Sequence, residues 1–302
     1  MLRLRISLVF LTLAVAACGC TAQTITLGAL EELHGNYTGE PNFYGVRVLF
    51  EKARGAWRPY PATCEPYGCL EGLPAKYPPE MKWSISFDGR KVGQVIGETP
   101  KRFDFYSHVG LQKIVSKGTV PTVGAKSHEF GGYAGAEVHR PLVANSQPYY
   151  KDPESWRVAQ LSLERTTVLR NQFQKKFPKL CRNADEDHKK PLEVFPYKND
   201  QVNIVKAYTS RKGWIVARLE LANAIECDDT EAGFGLSEQW FVVEPRNTVW
   251  YLGTDMWLVD AGDYDNDGKS EVLFAVAGDN RGGYRLFYDD FKEQAVFEYS
   301  YH

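Results

Sequence analysis

The sequence predicts a mainly β fold carrying one short helical insertion, on three observations. The chain is a succession of short segments rich in Val, Ile, Phe, Tyr and Trp, residue types that suit a pleated, half-buried surface. Gly, Asp, Asn and Pro punctuate those segments at spacings too tight for long helices. One stretch has a helical period: Leu169, Phe173 and Phe177 recur every fourth residue, while Arg170, Gln174, Lys175 and Lys176 fill the other side.

In chain order the extended segments are Tyr44–Glu51, Met81–Asp88, Lys91–Ile96, Val202–Thr209, Gly213–Leu221, Gln239–Val243, Val249–Leu252, Met256–Ala261, Glu271–Gly278, Tyr284–Tyr288 and Ala295–Tyr301. Phe87-Asp88-Gly89-Arg90 reads as a hairpin turn, because Asp-Gly readily supplies the positive φ angles of a tight reversal. Arg211-Lys212-Gly213 and Asn280-Arg281-Gly282-Gly283 read as similar reversals. The helix is predicted from Glu164 to Phe177 and is stopped by Pro178. Residues 182–190 are polar and mixed in charge and read as a loop, while residues 101–150 carry frequent Gly, Pro and Ser and no assigned element.

The N-terminal residues read as an address. Arg3 and Arg5 precede the apolar stretch Ile6–Ala17, which ends in small residues and is too short to span a bilayer. The stretch Val15-Ala16-Ala17-Cys18 resembles the bacterial lipobox. That resemblance implies cleavage before Cys18, lipidation of Cys18 and, with no Asp at position 19, sorting to the outer membrane. Cleavage before Gln23, giving a soluble periplasmic or secreted protein, is the alternative. The predicted organisation is a signal peptide over 1–17 (or to 22), a tether over 18–30 and a single β-rich domain over 31–302.

Charge and cysteine usage fit an exported protein. Lys and Arg number 36 against 38 Asp and Glu, with no long basic block, which disfavours nucleic acid as a partner. No 18-residue apolar run exists to form a membrane span in the mature chain. Beyond the leader lie Cys64, Cys69, Cys181 and Cys227, an even number suited to disulfides in an oxidising compartment. Pro66 and Gly68 can turn the chain between Cys64 and Cys69, leaving Cys181 to pair with Cys227, although four cysteines allow three connectivities. Lipidation of Cys18 would leave Cys20 as an odd thiol in the tether.

The most informative chemistry lies near the C-terminus. Asp263, Asp265 and Asp267 stand at alternating positions and are followed by Gly268 and then Glu271. Calcium needs several hard oxygen ligands. This spacing can aim three carboxylates at one point, Gly268 permits the sharp turn, and the Lys269 carbonyl and Glu271 can complete the shell. An EF-hand is excluded, because its twelfth position is Phe274 rather than a bidentate Glu, and extended segments flank the loop.

The Asp-x-Asp-x-Asp-Gly-x-x-Glu loop feeding an apolar strand resembles the calcium loops of FG-GAP or VCBS-type repeats in integrin-like β-propellers. The resemblance covers residues 257–288. It implies a structural Ca²⁺ held by Asp263, Asp265, Asp267, the Lys269 carbonyl and Glu271, within a β-propeller of irregular blades. The supply of short strands suits that architecture, with β-sandwich domains as the rival. Trp57, Trp83, Trp156, Trp214, Trp240, Trp250 and Trp257 are scattered along the chain and are expected in core packing.

No Gly-x-Ser-x-Gly, His-Glu-x-x-His or Gly-x-x-x-x-Gly-Lys motif occurs. His108, His128, His139 and His188 lack a shared ligand spacing. His128-Glu129 could serve acid/base chemistry, and Asp228, Asp229 and Glu231 beside Cys227 could form a second cation site. Both read more simply as ordinary surface residues. The expected function is a non-catalytic cell-envelope binding or structural protein with an envelope protein or glycan as ligand; the alternative is a secreted propeller-type hydrolase or lyase. Mass spectrometry of the envelope-extracted protein is expected to find a modified N-terminal Cys18. A free Gln23 terminus would defeat the anchor while leaving export intact.

Overall fold

The computed structural model describes residues 24–33, 43–62, 74–100, 109–115, 118–130, 137–148, 150–182, 194–227, 236, 238–278 and 281–300. The first seven strands are β1 (Ile25–Leu33), β2 (Phe43–Ala53), β3 (Ala56–Pro59), β4 (Met81–Phe87), β5 (Arg90–Gly97), β6 (Leu111–Lys113) and β7 (Leu142–Asn145). They form one antiparallel sheet in the order β3-β2-β1-β7-β4-β5, with β6 also on β2. Asp88 at φ 50° and Gly89 at φ 65° make the predicted tight turn between β4 and β5. Past β6, an isolated bridge joins Ile114 to Gly97 of β5, touching the far end of the sheet without extending into a ladder.

The middle of the chain supplies β8 (Arg157–Val158), α1 (Leu163–Lys176), β9 (Leu180–Arg182), β10 (Asn203–Thr209), β11 (Ile215–Glu220), β12 (Ala224–Glu226), β13 (Gln239–Val243) and β14 (Val249–Gly253). Five of these strands form a sheet in the order β14-β13-β11-β10-β8, and β9 pairs with β12. The Ser162 side chain caps α1 by accepting from the Arg165 amide. Leu169, Phe173 and Phe177 all bury their side chains, as their spacing predicts. Cys181 and Cys227 are joined by a disulfide with Cα atoms 4.9 Å apart. It lies beside the β9–β12 ladder, where Cys181 stands opposite Ile225.

The chain ends in a four-stranded meander of β15 (Met256–Gly262), β16 (Glu271–Gly278), β17 (Arg281–Tyr288) and β18 (Glu293–Ser300). This sheet is covered on both faces. Val259, Leu273, Tyr284, Leu286 and Phe297 join the core of the seven-stranded sheet, with Leu27, Val48, Trp83 and Val143. Val272, Phe274, Val276 and Phe287 enter a second core with Trp214, Val216, Trp240 and Val242 of the five-stranded sheet. The opposite face of that sheet, through Ile215, Ala217, Phe241 and Val243, forms a third core with α1. Successive residues of β11, β13 and β16 therefore point into different cores, and their near-continuous apolar sequences follow from burial on both sides.

These contacts correct the expected β-propeller. Among the described residues the four sheets are separate and differ in strand number, and none closes or curls as a propeller blade would. A blade leaves one edge at a central axis, whereas here the meander is a layer between two unlike sheets. Separate β-sandwich domains do not describe the molecule either, because the meander is shared between two cores. The β body also starts earlier than expected: β1 runs from Ile25, through residues placed in the tether, and Leu27, Ala29 and Leu30 are buried. Arg281–Gly283, expected at a reversal, lie in β17 opposite β16 and β18.

The tryptophans are mostly packing residues, with Trp57, Trp83, Trp214 and Trp240 buried and Trp156, Trp250 and Trp257 partly so. A buried polar bridge accompanies the apolar contact between the first and last sheets. Arg47 of β2, 1% exposed, binds Glu31 of β1 with two hydrogen bonds of 2.8 Å, and Tyr284 of β17 donates to the same carboxylate at 2.8 Å. Phe274 lies in the second core against Trp240 and Phe287. Phe274→Ala is expected to cost about 3–5 kcal/mol in urea unfolding. An unchanged midpoint would contradict the burial of the meander on that face.

Candidate metal centre

The acidic loop joins β15 to β16, and the residues before it are held from several directions. β15 shifts register between Leu258 and Asp260, an irregularity that re-aims the following side chains. Arg140 grips that point through Nε to the Val259 carbonyl (3.0 Å) and Nη2 to the Leu258 carbonyl (2.8 Å). Asp260 is buried beyond the shift. It accepts from the Tyr150 hydroxyl and from the amides of Ala261 (2.9 Å) and Asp88 (3.2 Å). Gly262 is required by proximity, since a Cβ there would lie 2.2 Å from Tyr150 Cε2.

The loop then leaves the strand under tight control. The Asp263 amide donates to the Lys151 carbonyl at 2.6 Å. Tyr264 is fully buried edge-on to Tyr150, with ring centroids 4.7 Å apart, and its carbonyl accepts from Asn145 Nδ2 at 2.8 Å. Asn266 at φ 61° and Gly268 at φ 89° reverse the chain. The Asp267 and Gly268 amides donate to the two oxygens of Asp263 at 2.8 and 2.9 Å, and the Lys269 amide donates to Asp267 Oδ1 at 2.9 Å. This wrapping brings one carboxylate oxygen each from Asp263, Asp265 and Asp267 within 4.8 Å of one another, a set that could hold a metal ion.

The donor set fits a hard cation. All three groups offer oxygen. The Asp265 side chain is 4% exposed, and its Oδ2 accepts no hydrogen bond. The neighbour of that oxygen is the Lys52 ammonium, 2.5 Å away, which makes an ion pair without hydrogen-bond alignment. Burial pushes the Asp263 carboxyl above the usual range, with the Asp265 and Asp267 charges adding to it and the Gly268 and Asp267 amides opposing. Three like charges in one partly buried loop favour any cation that can share them.

Of the other two expected ligands, Lys269 was expected through its carbonyl and Glu271 through its side chain. Glu271 is 2% exposed and lies outside the 4.8 Å set; its Oε2 accepts from the Tyr264 amide at 2.7 Å. Burial, followed by the Asp265 charge, raises its carboxyl well above the ordinary value. Lys269 turns its ammonium outward to Asp289 and Asp290. Sequence reasoning missed Lys52 of β2, Tyr150 and Asp152, whose carboxylate accepts from the amides of Glu154, Ser155 and Trp156 and lies 3.4 Å from the Ser270 hydroxyl. Only Tyr150, as a bulky neighbour required by Gly262, leaves even an indirect trace, since no local pattern couples these residues to the loop.

The remaining candidates are dispersed. Glu129 pairs with Lys206 at 2.8 Å and lies 3.9 Å from Arg218, while His128 approaches Glu137 at 3.4 Å. Glu129, Arg140, Lys206, Tyr208 and Trp240 line a cleft of about 20 Å³, room for one water. The expected lipidation site Cys18, the Cys64–Cys69 pair, the leader, His108, His188 and the acids at 228, 229 and 231 lie outside the described residues. No helix among the described residues is long and apolar enough to cross a membrane.

The FG-GAP or VCBS-type resemblance is corrected by the fold. Its loop spacing recurs here, but it joins two strands of a layer packed on both faces, among sheets that do not form blades. No protein-family model, curated protein or solved structure matches the chain.

Burial raises Asp260 from 3.8 to about 7, despite opposing hydrogen bonds from Tyr150 and two amides. The folded state therefore holds a proton between these values that the unfolded chain has released. This carboxyl's contribution to stability is present below pH 4 and is lost as pH rises toward 7. Relative to Asp260→Asn, the wild type is expected to lose on the order of a few kcal/mol between pH 4 and 7 in urea unfolding. Parallel pH profiles for the two proteins would contradict this assignment.

Proposed function

We propose that the protein is a non-catalytic cell-envelope component, a β scaffold stabilised by Ca²⁺ that binds an envelope protein or glycan. The observation that carries this reading is the position of the acid trio. Its loop meets β2 through Lys52, the start of the link from the first sheet to the second through Lys151 and Asp152, and the meander through its own strands. Calcium is favoured over magnesium because the ligands lie on a short irregular turn with a backbone carbonyl available, suiting a larger cation tolerant of geometry. In this reading Asp263, Asp265 and Asp267 supply the first oxygens. The Lys269 carbonyl and Glu271, the latter directly or through water, complete the shell.

Export and an outer-membrane anchor at Cys18 belong to the same reading and rest on the leader sequence. A secreted hydrolase or lyase is the second reading, and one feature favours it: Glu129 and Glu238 flank Arg218 at 3.9 and 3.5 Å. Burial raises Glu238 to about 7, with Arg218 opposing and Asp255 and Glu129 adding. A carboxyl that burial keeps protonated near neutral pH can serve as a general acid. The scaffold reading is preferred because the acid trio, the clustered group of ligand type among the described residues, lies in a connection between strands.

Thermal melts with EDTA and with excess Ca²⁺ test the metal role. At a Ca²⁺ concentration one hundred times its Kd, the ion is expected to stabilise the fold by about 2.7 kcal/mol. Asp265→Ala is expected to remove most of that difference. Equal melting temperatures with and without calcium would overturn the structural role of the ion.

A further inference from the structure

Lys52 occupies an unusual position for a lysine. Its side chain is only 15% exposed, and its ammonium lies between two rings, 5.3 Å from the Trp57 centroid and 5.4 Å from the Tyr288 centroid. Trp57 belongs to β3 and Tyr288 to β17, so the ammonium stands at the seam between the first sheet and the meander. Its ionic contact is Asp265 Oδ2, the buried oxygen of the acid trio that accepts no hydrogen bond. The loop's own lysine, Lys269, cannot fill this role because Asp289 and Asp290 hold its ammonium outside.

We propose that Lys52 is the resident counter-ion of the loop and the direct competitor of the metal: its ammonium holds Asp265 in the metal-free protein, and a divalent cation binds by displacing it. This deepens the calcium reading and rests on it. A unit charge at ion-pair distance from a low-exposure carboxylate offsets much of the repulsion that would otherwise open the metal-free loop. The same charge opposes an arriving cation by repulsion and by its ion-pair contact with an Asp265 oxygen. The two rings give the ammonium a favourable place even when Asp265 turns to the metal. Loading of the loop is thereby coupled to the seam between β3 and β17, with Trp57 beside the moving charge.

Calorimetric titration of the full chain with CaCl₂, beside melts in EDTA, tests the proposal on wild type, Lys52→Met and Lys52→Arg. Lys52→Met is expected to bind Ca²⁺ about tenfold more tightly than wild type. It should also melt lower in EDTA and gain more on calcium addition. Lys52→Arg, which keeps the charge, should stay near wild-type affinity. If Lys52→Met keeps its circular dichroism spectrum and binds calcium no more tightly than wild type, the competition is overturned and the metal site survives. Absence of calcium binding in both wild type and Lys52→Met overturns the metal reading and this inference together. A readout that does not need the Met variant to fold is the calcium-induced change in tryptophan emission, expected in wild type and lost in Trp57→Phe. Calcium binding that leaves the Trp57 emission unaltered would also overturn displacement of the ammonium.

Discussion

Burial of the C-terminal meander on both faces is the constraint on which the other layers depend. β16 sends Val272, Phe274 and Val276 to one side and Leu273 to the other. Neither the seven-stranded nor the five-stranded sheet could bury its inner face without that layer between them. At roughly 25 cal/mol per Å² of apolar surface removed from water, the interior aromatic and branched side chains on both faces make this double contact stabilising. The arrangement also explains why the sheets remain open: each inner face is satisfied by a neighbouring layer, so closing a ring of blades would bury nothing more.

Several charged groups in this interior are matched by close partners. Glu31 and Arg47 bond in a bidentate pair, with Arg47 also donating to the Val109 carbonyl and Tyr284 to Glu31. Removal of either charged partner would leave the other buried and uncompensated, which costs more than the pair itself contributes. Glu32 shows the same logic nearer the surface. Burial opposes its charge, but Lys126 and the His139 amide and ring outweigh that and bring it down to about 2. The acidic loop differs. Of its three clustered carboxylates Asp265 pairs with the Lys52 ammonium, and the excess negative charge makes the site receptive to a metal.

The secondary structure was legible wherever a local signal was strong. The two-faced strands β11, β13 and β16 read as near-continuous apolar runs, Asp88-Gly89 specifies its own turn, and Leu169 to Pro178 carry the period and stop of α1. β1, β3, β6 and β7 were passed over, as were the two- and three-residue strands β8, β9 and β12. They are short, interrupted by Gly or Pro, or set in stretches without alternation; β1, β6 and β7 pair with strands that local spacing does not connect to them, and β3 returns on β2 through a tight hairpin. β7 has only Leu142–Asn145, yet it lies between β1 and β4 and joins the two halves of the largest sheet. The propeller expectation failed for a related reason: counting strands says nothing about which faces they will bury.

The acidic loop divides along the same line. Alternating aspartates before a glycine converge because backbone amides of the next few residues fold the chain around Asp263, an interaction complete within the loop. The sequence by itself therefore determined the mainly β character, the helix, the tight turn and the three clustered carboxylates, all set by residues a few positions apart. Only the tertiary structure decided the layer order, the turning of Glu271 toward the Tyr264 amide and the arrival of Lys52 beside Asp265. Pairing of β15 with β16 sets Glu271 against Tyr264, whereas Lys52 reaches Asp265 across most of the chain, a proximity that leaves no trace in local spacing.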